Sequence, residues 1–529
     1  MEICSWHHHY PAGLSPSASY PREALWWLLA DSARRFGTKT ALVSHGRSWT
    51  YQESWDIALG VAAKIRSELR FGEPEPPRVV LVLPNCAPFL FCYHGALAAG
   101  AVVSAASIAL TAEELAAQLK DAAPQLVITQ SKRSAFVRDA LKTVRVNGSV
   151  WAIEDMAFAP TSAAFEPIPV ADPTQAVAVL QYTSGTTGSA KGAMMSHANL
   201  LSNALQNARW FGWGQDEINL SILPLYHTWG MCCCMNSTLA VGGTLVLHDN
   251  EQPFDPRAVF DAVRGHRATV LYGSATMFHR LLDVSAEHNA CLATLRHIKA
   301  GAMLTQGNLK ARWDERFPHA PLQQGYGLTE ASPESHNNPP QRFKKGTVGV
   351  PIQDTECRIV DADDPAKMLP PGRPGEVLLR GPQVMLGYWH KPDATQAAFH
   401  DGWLKTGDIG VMDEDGYLTI VDRKKDLIKF RGYSVSANNV EECLLRHPAV
   451  KEVVVVGKRD EREGEIPTAC IVLGPGMDAS AEVGLRAHCE CSLSPYERPR
   501  EYVFIDVIPR NHVGKPLRRE LREQINRGG

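Results

Sequence analysis

The sequence predicts an α/β protein: a large N-terminal domain of doubly wound sheets, a small β-rich subdomain, and an α+β domain at the C-terminus. Three observations predict it. Short all-apolar runs such as Val79–Leu83 recur between helix-length amphipathic segments, the pattern of parallel strands buried on both faces. From about residue 345 glycines and prolines recur and the strand-like runs shorten, which reads as a β-rich subdomain. After Arg423 the chain turns basic and then alternates again for about 100 residues, enough for a separate domain.

The elements follow in order. Pro21–Arg35 has helical periodicity, Ala41–Thr50 is strand-like around a turn at Gly46, and Tyr51–Leu69 is a second helix. The acidic, proline-rich FGEPEPPR makes a loop before the buried strand Val79–Leu83. A helix over Pro88–Ala99 and a strand over Ala101–Ala105 come next, with further strands at Leu126–Ile128 and Val150–Ile153. The alternation then resumes: helix Ala198–Gly212, strand Asn219–Ile222, helix Met231–Val241, strand Thr244–Leu247, helix Pro256–Arg264, strand Thr269–Leu271. The glycine-rich part holds short strands at Glu356–Val360, Gly375–Arg380 and Tyr417–Val421. The last part reads as helix Val440–Arg446, strands Val450–Val456 and Thr468–Val472, helix Ala481–Cys489 and strand Glu501–Ile505.

The 529 residues are 44% hydrophobic and 21% charged with a net charge of −3, and nothing in that balance points to nucleic acid or an anionic membrane as a partner. The N-terminal MEICSWHHHYPAG has no apolar core and is no signal peptide. Gly95–Leu110, rich in Gly, Ala and Ser, is too short for a membrane span, so no integral membrane segment is expected. Twelve cysteines at irregular spacing, including the run Cys232–Cys234, read as reduced thiols of a cytoplasmic protein. Cys489-Glu-Cys491 has no matched second pair and makes a poor zinc site.

The segment Leu180–His197, LQYTSGTTGSAKGAMMSH, organises the rest. Val177–Leu180 reads as the end of a buried strand. Thr183, Ser184, Gly185, Thr186, Thr187, Gly188 and Ser189 then set seven hydroxyl or glycine residues in a row, closed by Lys191 and Gly192. Glycines turn the backbone tightly and bring its N–H groups close to a ligand, hydroxyls add donors, and the lysine adds a positive charge. The combination suits phosphate oxygens. A Walker loop needs glycine before its lysine and Ser or Thr after it; here Ala190 and Gly192 stand at those places, which excludes it. On composition alone, a polar surface loop between strand and helix is the other reading.

The order of residues in YTSGTTGSAKG resembles the phosphate loop of the adenylate-forming superfamily: acyl-CoA and aryl-CoA ligases, luciferases and adenylation domains. Further motifs follow in that family's order. Leu223–Gly230, LPLYHTWG, resembles the segment of acyl-CoA and aryl-CoA ligases that walls the carboxylate pocket. Members that activate α-amino acids carry an Asp there. This chain has none, and burying an unpaired ammonium is costly, so an amino acid substrate is disfavoured. Tyr226, His227 and Trp229 become pocket candidates. His227 would order the site or bond near the carboxylate, with a packed core histidine as the other reading. Cys232, within Met231–Met235, either lines a soft acyl pocket or simply packs the helix.

Gly301, Ala302 and Met303, and then QGYGLTE with Gln324, Gly325, Tyr326, Gly327, Thr329 and Glu330, resemble the family's nucleotide segments. The resemblance puts the aromatic on adenine, Thr329 on the α-phosphate and Glu330 on Mg²⁺. Independently, a triphosphate needs a hard cation held through few carboxylates, and Glu330 is placed to be one. Asp408 and Arg423, with Ile420 near them, match the residues that grip ribose hydroxyls. In DRKKDLIKFRGYSV, Lys425 falls at the hinge position, and Lys429, Gly432 and Tyr433 in the loop that enters the site for thioester formation. Lys515, in PRNHVGKPL, matches the lysine of the adenylating conformation. A single cation there would steady charge as the phosphoryl oxygens crowd.

The resemblance covers nearly the whole chain. It implies a mobile C-terminal domain, with residues 1–424 before the hinge and 425–529 after it. It implies an acyl-CoA ligase that uses ATP, Mg²⁺ and CoA to activate a hydrophobic carboxylic acid, first as acyl-AMP and then as thioester. An aryl-CoA ligase, a ligase loading a carrier protein's phosphopantetheine, and a ligase acting only on a preformed acyl-adenylate are the alternatives. Ala190, Met303 and Asn439 depart from the family pattern, and the final RRELREQINR reads as a solvated helix.

Overall fold

Arg78–Val82, RVVLV, is buried at every position, and the strand lies inside a seven-stranded sheet. The strand order is Gly387–Tyr388, Lys191–Ser196, Val177–Thr183, Val102–Ala105, Arg78–Val82, Leu126–Thr129, Ser149–Ala152. The last five are parallel to one another. The first two join antiparallel. Helices Ala112–Ala122 and Ser131–Thr143 cover one face, packing Leu115, Leu119, Val137 and Leu141 against Val80, Val82 and Val127. The computed structural model describes residues 4–72, 75–160, 165–183, 191–301, 309–431, 433–460, 462–510 and 516–527.

A nine-stranded sheet runs in the order Val350–Pro351, Glu334–Asn337, Leu322–Gly327, His297–Gly301, Val270–Ser274, Ile218–Ser221, Thr244–Leu247, Thr40–Ser44, Arg47–Thr50. Its centre is parallel and its margins antiparallel. The expected doubly wound architecture therefore holds in the parallel centre of both sheets. A further five-stranded sheet is built from Glu356–Val360, Gly375–Arg380, Trp403–Met412, Phe399–His400 and Leu418–Arg423.

By compactness the chain divides into one unit of Met1–Ala302, Lys310–Glu356 and Leu379–Leu404, and a second that includes Cys357–Leu378 and Lys405–Gly529. The C-terminal sheet of the second unit has the order Tyr433–Val435, Ile428–Phe430, Gly464–Leu473, Val450–Asp460, with Glu501–Phe504 parallel to Gly464–Leu473. Successive side chains of a strand point to opposite faces. Val453, Val455, Ala469 and Ile471 accordingly pack with helices Ala437–Leu445 and Glu482–Ser492. Val454, Val456, Cys470 and Val472 pack instead with Ile508 and with Leu521 of helix Arg518–Arg527.

Two local departures from the sequence reading matter for the site. Residues Lys191–Ser196 form a strand paired with Val177–Thr183, where the sequence suggests a loop running straight into a helix. KGAMMS has no β-branched residue, so its pairing partner rather than its own propensity makes it a strand. Secondly, Trp229–Asn236 is π-helical and only Ser237–Ala240 is α-helical, in place of one helix over Met231–Val241. Every residue of that π-helix is buried, so no polar face marks its period. Among the described residues no helix is long and apolar enough to cross a membrane.

Candidate active site

Thr183 and Lys191 are register partners at the end of an antiparallel pair. The serine–glycine–threonine run thus connects two paired strands rather than a strand and a helix. Ser184, Gly185, Thr186, Thr187 and Gly188 lie outside the described residues. After Ser196 the chain turns directly into helix His197–Trp210, capped by the Ser196 side chain accepting from Asn199 N–H while Asn199 Oδ1 accepts from Ser196 N–H.

Lys191 does not stand alone. Gly387–Tyr388 pairs with Met194 and Ala193, and Trp389 N–H donates to Gly192 O at 2.8 Å. This sets the Tyr388 ring under the Lys191 ammonium, 5.1 Å from Nζ to the ring centre. The Tyr388 hydroxyl in turn donates to Glu330 Oε1 at 2.8 Å. Glu330 sits in the short 3₁₀ turn Thr329–Ala331, and its carbonyl accepts Met385 N–H at 2.9 Å. Burial and the adjacent Glu330 charge both push the Tyr388 phenol above its ordinary value, so it stays a donor. Lys191, Tyr388 and Glu330 therefore form one constellation, and the sequence reading had only the outer two.

The segment leading to Glu330 changes partner midway. Leu322, Gln323 and Gln324 run parallel to Ile298, Lys299 and Ala300, whereas Gly325, Tyr326 and Gly327 run antiparallel to Asn337, His336 and Glu334. A Cβ at Gly327 would lie 1.9 Å from Pro333 O, and one at Gly325 would lie 2.3 Å from Asn337 Oδ1. Close packing against neighbouring backbone and side-chain atoms thus accounts for both glycines. Tyr326 is half-buried with its ring 5.8 Å from His336. Burial holds the His336 imidazole down at about 3, so it is neutral.

The expected carboxylate wall is held by side chains the sequence did not single out. Asn85 Oδ1 accepts Leu225 N–H at 2.8 Å, and its Nδ2 donates to Leu223 O at 3.0 Å. Gln181 Nε2 donates to Tyr226 O at 3.0 Å. Tyr226 is buried, and desolvation raises its phenol. His227 is half-buried, and its Nδ1 accepts Trp229 N–H at 3.2 Å. In the neutral ring that puts the proton on Nε2. Trp229 stacks on Tyr272 at 6.1 Å, and a Cβ at Gly301 would approach its Cη2 to 2.7 Å. Trp229 therefore lies flat against the Gly301 backbone, which brings two expected site residues together. Ala302 and Met303 lie outside the described residues. Cys232 is fully buried, and its Sγ lies 3.5 Å from Leu200 O on the neighbouring helix.

Beneath this wall Lys299 and Glu334 form an ion pair, both nearly inaccessible. Asn337 Nδ2 donates to the other Glu334 oxygen at 3.0 Å, and the Lys299 ammonium lies 5.7 Å from the Phe211 and Tyr272 ring centres. The acid on this strand is already paired, which leaves it unsuited to hold a substrate ammonium.

In the second unit Asp408 and Arg423 are cross-strand partners, with Arg423 Nε 3.5 Å from Asp408 Oδ1. Asp408 is buried and Arg423 partly exposed; Ile420 is half-buried opposite Gly410. The two residues expected to grip the ribose thus face each other across the strand pair. Lys425 lies two residues beyond Arg423. Asp422, just before Arg423, accepts from Ser436 Oγ at 3.0 Å and Asn438 N–H at 3.2 Å, and burial raises its carboxyl. Lys429 is an exposed residue of Ile428–Phe430, its N–H held by Glu465 Oε2 at 2.9 Å. It borders a shallow groove with Arg459, Asp460, Gly464 and Glu465. Tyr433, 55% exposed, stacks on Tyr496 at 4.6 Å. Gly432 and Lys515 lie outside the described residues. Arg510 and Pro516 form an antiparallel bridge, and Leu517 N–H donates to Pro509 O at 2.9 Å.

One sequence expectation is corrected here. Helix Arg518–Arg527 is not simply solvated, because Arg518 is largely buried. It pairs bidentately with Glu441 at 2.5 and 2.8 Å, and it donates to Val455 O and Asn438 Oδ1. The helix has Leu521 and Ile525 as its apolar face among eight polar or charged residues, so its basic composition hid the buried arginine.

Among the described residues no group of three or more His, Cys, Asp or Glu side chains could hold a metal ion. A dedicated protein cage is therefore absent from them. A single carboxylate such as Glu330 fits a cation that arrives with most of its oxygen ligands supplied by phosphates and water.

Comparison with known proteins bears on this geometry. Residues 29–389 match the family described as AMP-binding enzyme, and residues 439–515 match the AMP-binding enzyme C-terminal domain. A long-chain-fatty-acid–CoA ligase of Bacillus subtilis is 34% identical, covering 98% of both chains. The crystal structure of ATP-bound MatB from Rhodopseudomonas palustris is similar with a TM-score of 0.86 and 29% identity, over 95% of this chain and 99% of that one. The o-succinylbenzoate coenzyme A synthetase of Bacillus subtilis, in complex with ATP and magnesium ion, gives 0.81 and 28% over 94% and 99%.

Proposed function

This chain belongs to the AMP-binding enzyme family, in its acyl-CoA and aryl-CoA ligase branch, and from that premise we propose a substrate and a set of residue roles for its AMP-forming acid–thiol ligase activity. The substrate is a hydrophobic carboxylic acid, with ATP and CoA as co-substrates and Mg²⁺ as the ion. The observation that carries the choice of acid is the Trp229–Tyr272–Gly301 wall: aromatic, buried and without a spare negative charge.

In the first step a carboxylate oxygen attacks the α-phosphorus of ATP, and the bond to the bridging oxygen of pyrophosphate breaks. Acyl-AMP and pyrophosphate result. Thr183, Ser184, Gly185, Thr186, Thr187, Gly188 and Lys191 hold the phosphates, and Thr329 the α-phosphate. Gly301, Ala302, Gln324, Gly325, Tyr326 and Gly327 border the adenine. Asp408, Ile420 and Arg423 grip the ribose. Glu330 would hold Mg²⁺, which when bound neutralises charge on the phosphate oxygens. His227 donates from Nε2 to the carboxylate, and Tyr226, Trp229, Cys232 and Met303 belong to the acyl pocket. Lys515 steadies the α-phosphate during adenylation.

In the second step residues 425–529 turn about Lys425 relative to 1–424, replacing Lys515 with the loop of Lys429, Gly432 and Tyr433. The CoA sulfur attacks the acyl carbonyl, the thiol proton passes to solvent, and AMP leaves with the former carboxylate oxygen. Little covalent chemistry falls to the protein, and positioning and charge dominate. Twelve free cysteines, most of them buried, support a reducing, cytoplasmic compartment.

The test is pyrophosphate release with Mg²⁺-ATP across fatty, aryl and alicyclic acids, with CoA-ester formation followed on the same samples. Long-chain acids giving both signals support the proposal. An aryl acid is the second reading, favoured by the flat stacked Trp229–Tyr272 surface, and it wins if aryl acids alone give both. A carrier protein outpacing CoA as acceptor would reassign the thiol. Ester from synthetic acyl-AMP, with no pyrophosphate from any acid, would reassign the chain to thioester formation alone.

A further inference from the structure

We propose that Tyr388 is a positioning residue that keeps Lys191 and Glu330 apart and aims both at the Mg²⁺-nucleotide. The inference rests on the reading of Glu330 as the metal carboxylate. Lys191 and Glu330 carry opposite charges within reach of one tyrosine, its ring on the ammonium side and its hydroxyl on the carboxylate side. No ion pair joins the two among the described residues. Without the ring face under the ammonium and the hydroxyl on the carboxylate, the two opposite charges would be free to satisfy each other. That pairing would take the loop lysine from the phosphates and the carboxylate from the cation, the two jobs that need them unpaired.

The hydroxyl adds a second constraint. It occupies Oε1 of Glu330, so the other oxygen is the one presented to a cation. Mg²⁺ holds several waters and takes protein carboxylates sparingly, which suits one oxygen rather than two. Hydrogen bonds to a charged acceptor are among the stronger ones, so the carboxylate plane is fixed before metal arrives.

Tyr388 is itself firmly seated. Its N–H donates to Thr395 Oγ1 at 2.8 Å. The preceding Gly387 has φ +144°, and a Cβ there would come 2.5 Å from Thr395 Cγ2. The next residue, Trp389, is buried with its ring 5.6 Å from the Arg78 guanidinium. Strand alternation then points Tyr388 away from that core and onto the face shared by Ala193 and Lys191.

The test compares Tyr388→Phe, Tyr388→Leu and Glu330→Gln in the full-length protein. Phenylalanine keeps the ring over Lys191 and loses only the hydroxyl; leucine loses both. Isothermal titration with ATP at stepped Mg²⁺ concentrations gives a binding readout independent of turnover. Pyrophosphate release and CoA-ester formation from synthetic acyl-adenylate separate the half-reactions. Loss of one hydrogen bond to a charged group predicts that Y388F raises the half-saturating Mg²⁺ concentration about tenfold. Y388L should additionally weaken ATP binding at saturating Mg²⁺. Both should form CoA ester from acyl-adenylate within about twofold of wild type, since that step uses neither the triphosphate nor its cation. Y388F in an E330Q background should add nothing. An unchanged Mg²⁺ requirement in Y388F, or an equal fall in both half-reactions, would overturn the proposal. If E330Q itself leaves the Mg²⁺ requirement unchanged, the metal reading of Glu330 fails, and this inference with it.

Discussion

Arg518→Met probes how the C-terminal part is held together. The guanidinium is the partner of Glu441, which is 1% exposed and also accepts Val455 N–H at 2.7 Å. Removing it leaves a buried carboxylate uncompensated. Breaking one side of a buried pair costs about 3–5 kcal/mol. Burial already raises the Glu441 carboxyl, with Arg518 opposing the rise, so the variant's Glu441 takes up a proton on folding. Such a group has its folded pKa above its unfolded one. Its protonated form favours the fold at low pH, and that support is lost as pH rises through the folded pKa. The cost of R518M should therefore be larger at pH 8 than at pH 5. The assay is hydrogen exchange of amides in Ala437–Leu445 and Arg518–Arg527 at both values. At pH 8 protection should fall by roughly two to nearly four powers of ten, at about 1.4 kcal/mol each. R518K should fall between, since lysine keeps the charge and loses the fork. Protection within about threefold of wild type at pH 8, or a greater loss at pH 5, would refute the reasoning.

Three further outcomes are expected. Gly301→Ala puts a methyl where the Trp229 ring lies 2.7 Å away, and overpacking of that kind costs about 1–3 kcal/mol; the melting temperature should fall and the KM for the acid should rise, read by calorimetry and steady-state kinetics. Asp408→Asn removes the charge facing Arg423, which should raise the KM for ATP about tenfold while leaving the KM for CoA within about twofold. Glu217 is opposed by burial, but bonds from His297, Thr269 and Arg296 bring its carboxyl down to about 2. Its contribution is complete above the unfolded carboxylate range and is lost as pH falls toward 2, so Glu217→Gln should flatten the acid limb of a stability–pH curve measured in urea.

The chemistry-bearing motifs were readable because each packs several special residues into a short run, as in SGTTG or QGYGLTE. Asp408 and Arg423 were also readable, and strand pairing set them opposite each other. Tyr388 was not, because a two-residue strand has no period and its partners lie in two distant segments. Asn85 and Gln181 act through backbone groups of Leu223, Leu225 and Tyr226, and such contacts leave no mark in side-chain patterns. The π-helix is buried all round, and Arg518 lies in a run of charges, so in both cases tertiary packing overrode what local composition suggested.

The most direct measurement is the fate of an ¹⁸O-labelled carboxylate. Attack of a carboxylate oxygen on the α-phosphorus predicts that each turnover leaves one labelled oxygen in AMP and none in pyrophosphate, with the other in the CoA ester. Label appearing in orthophosphate, with ADP as the nucleotide product, would contradict an acyl-adenylate mechanism and the roles assigned to Lys191, Thr329 and Glu330.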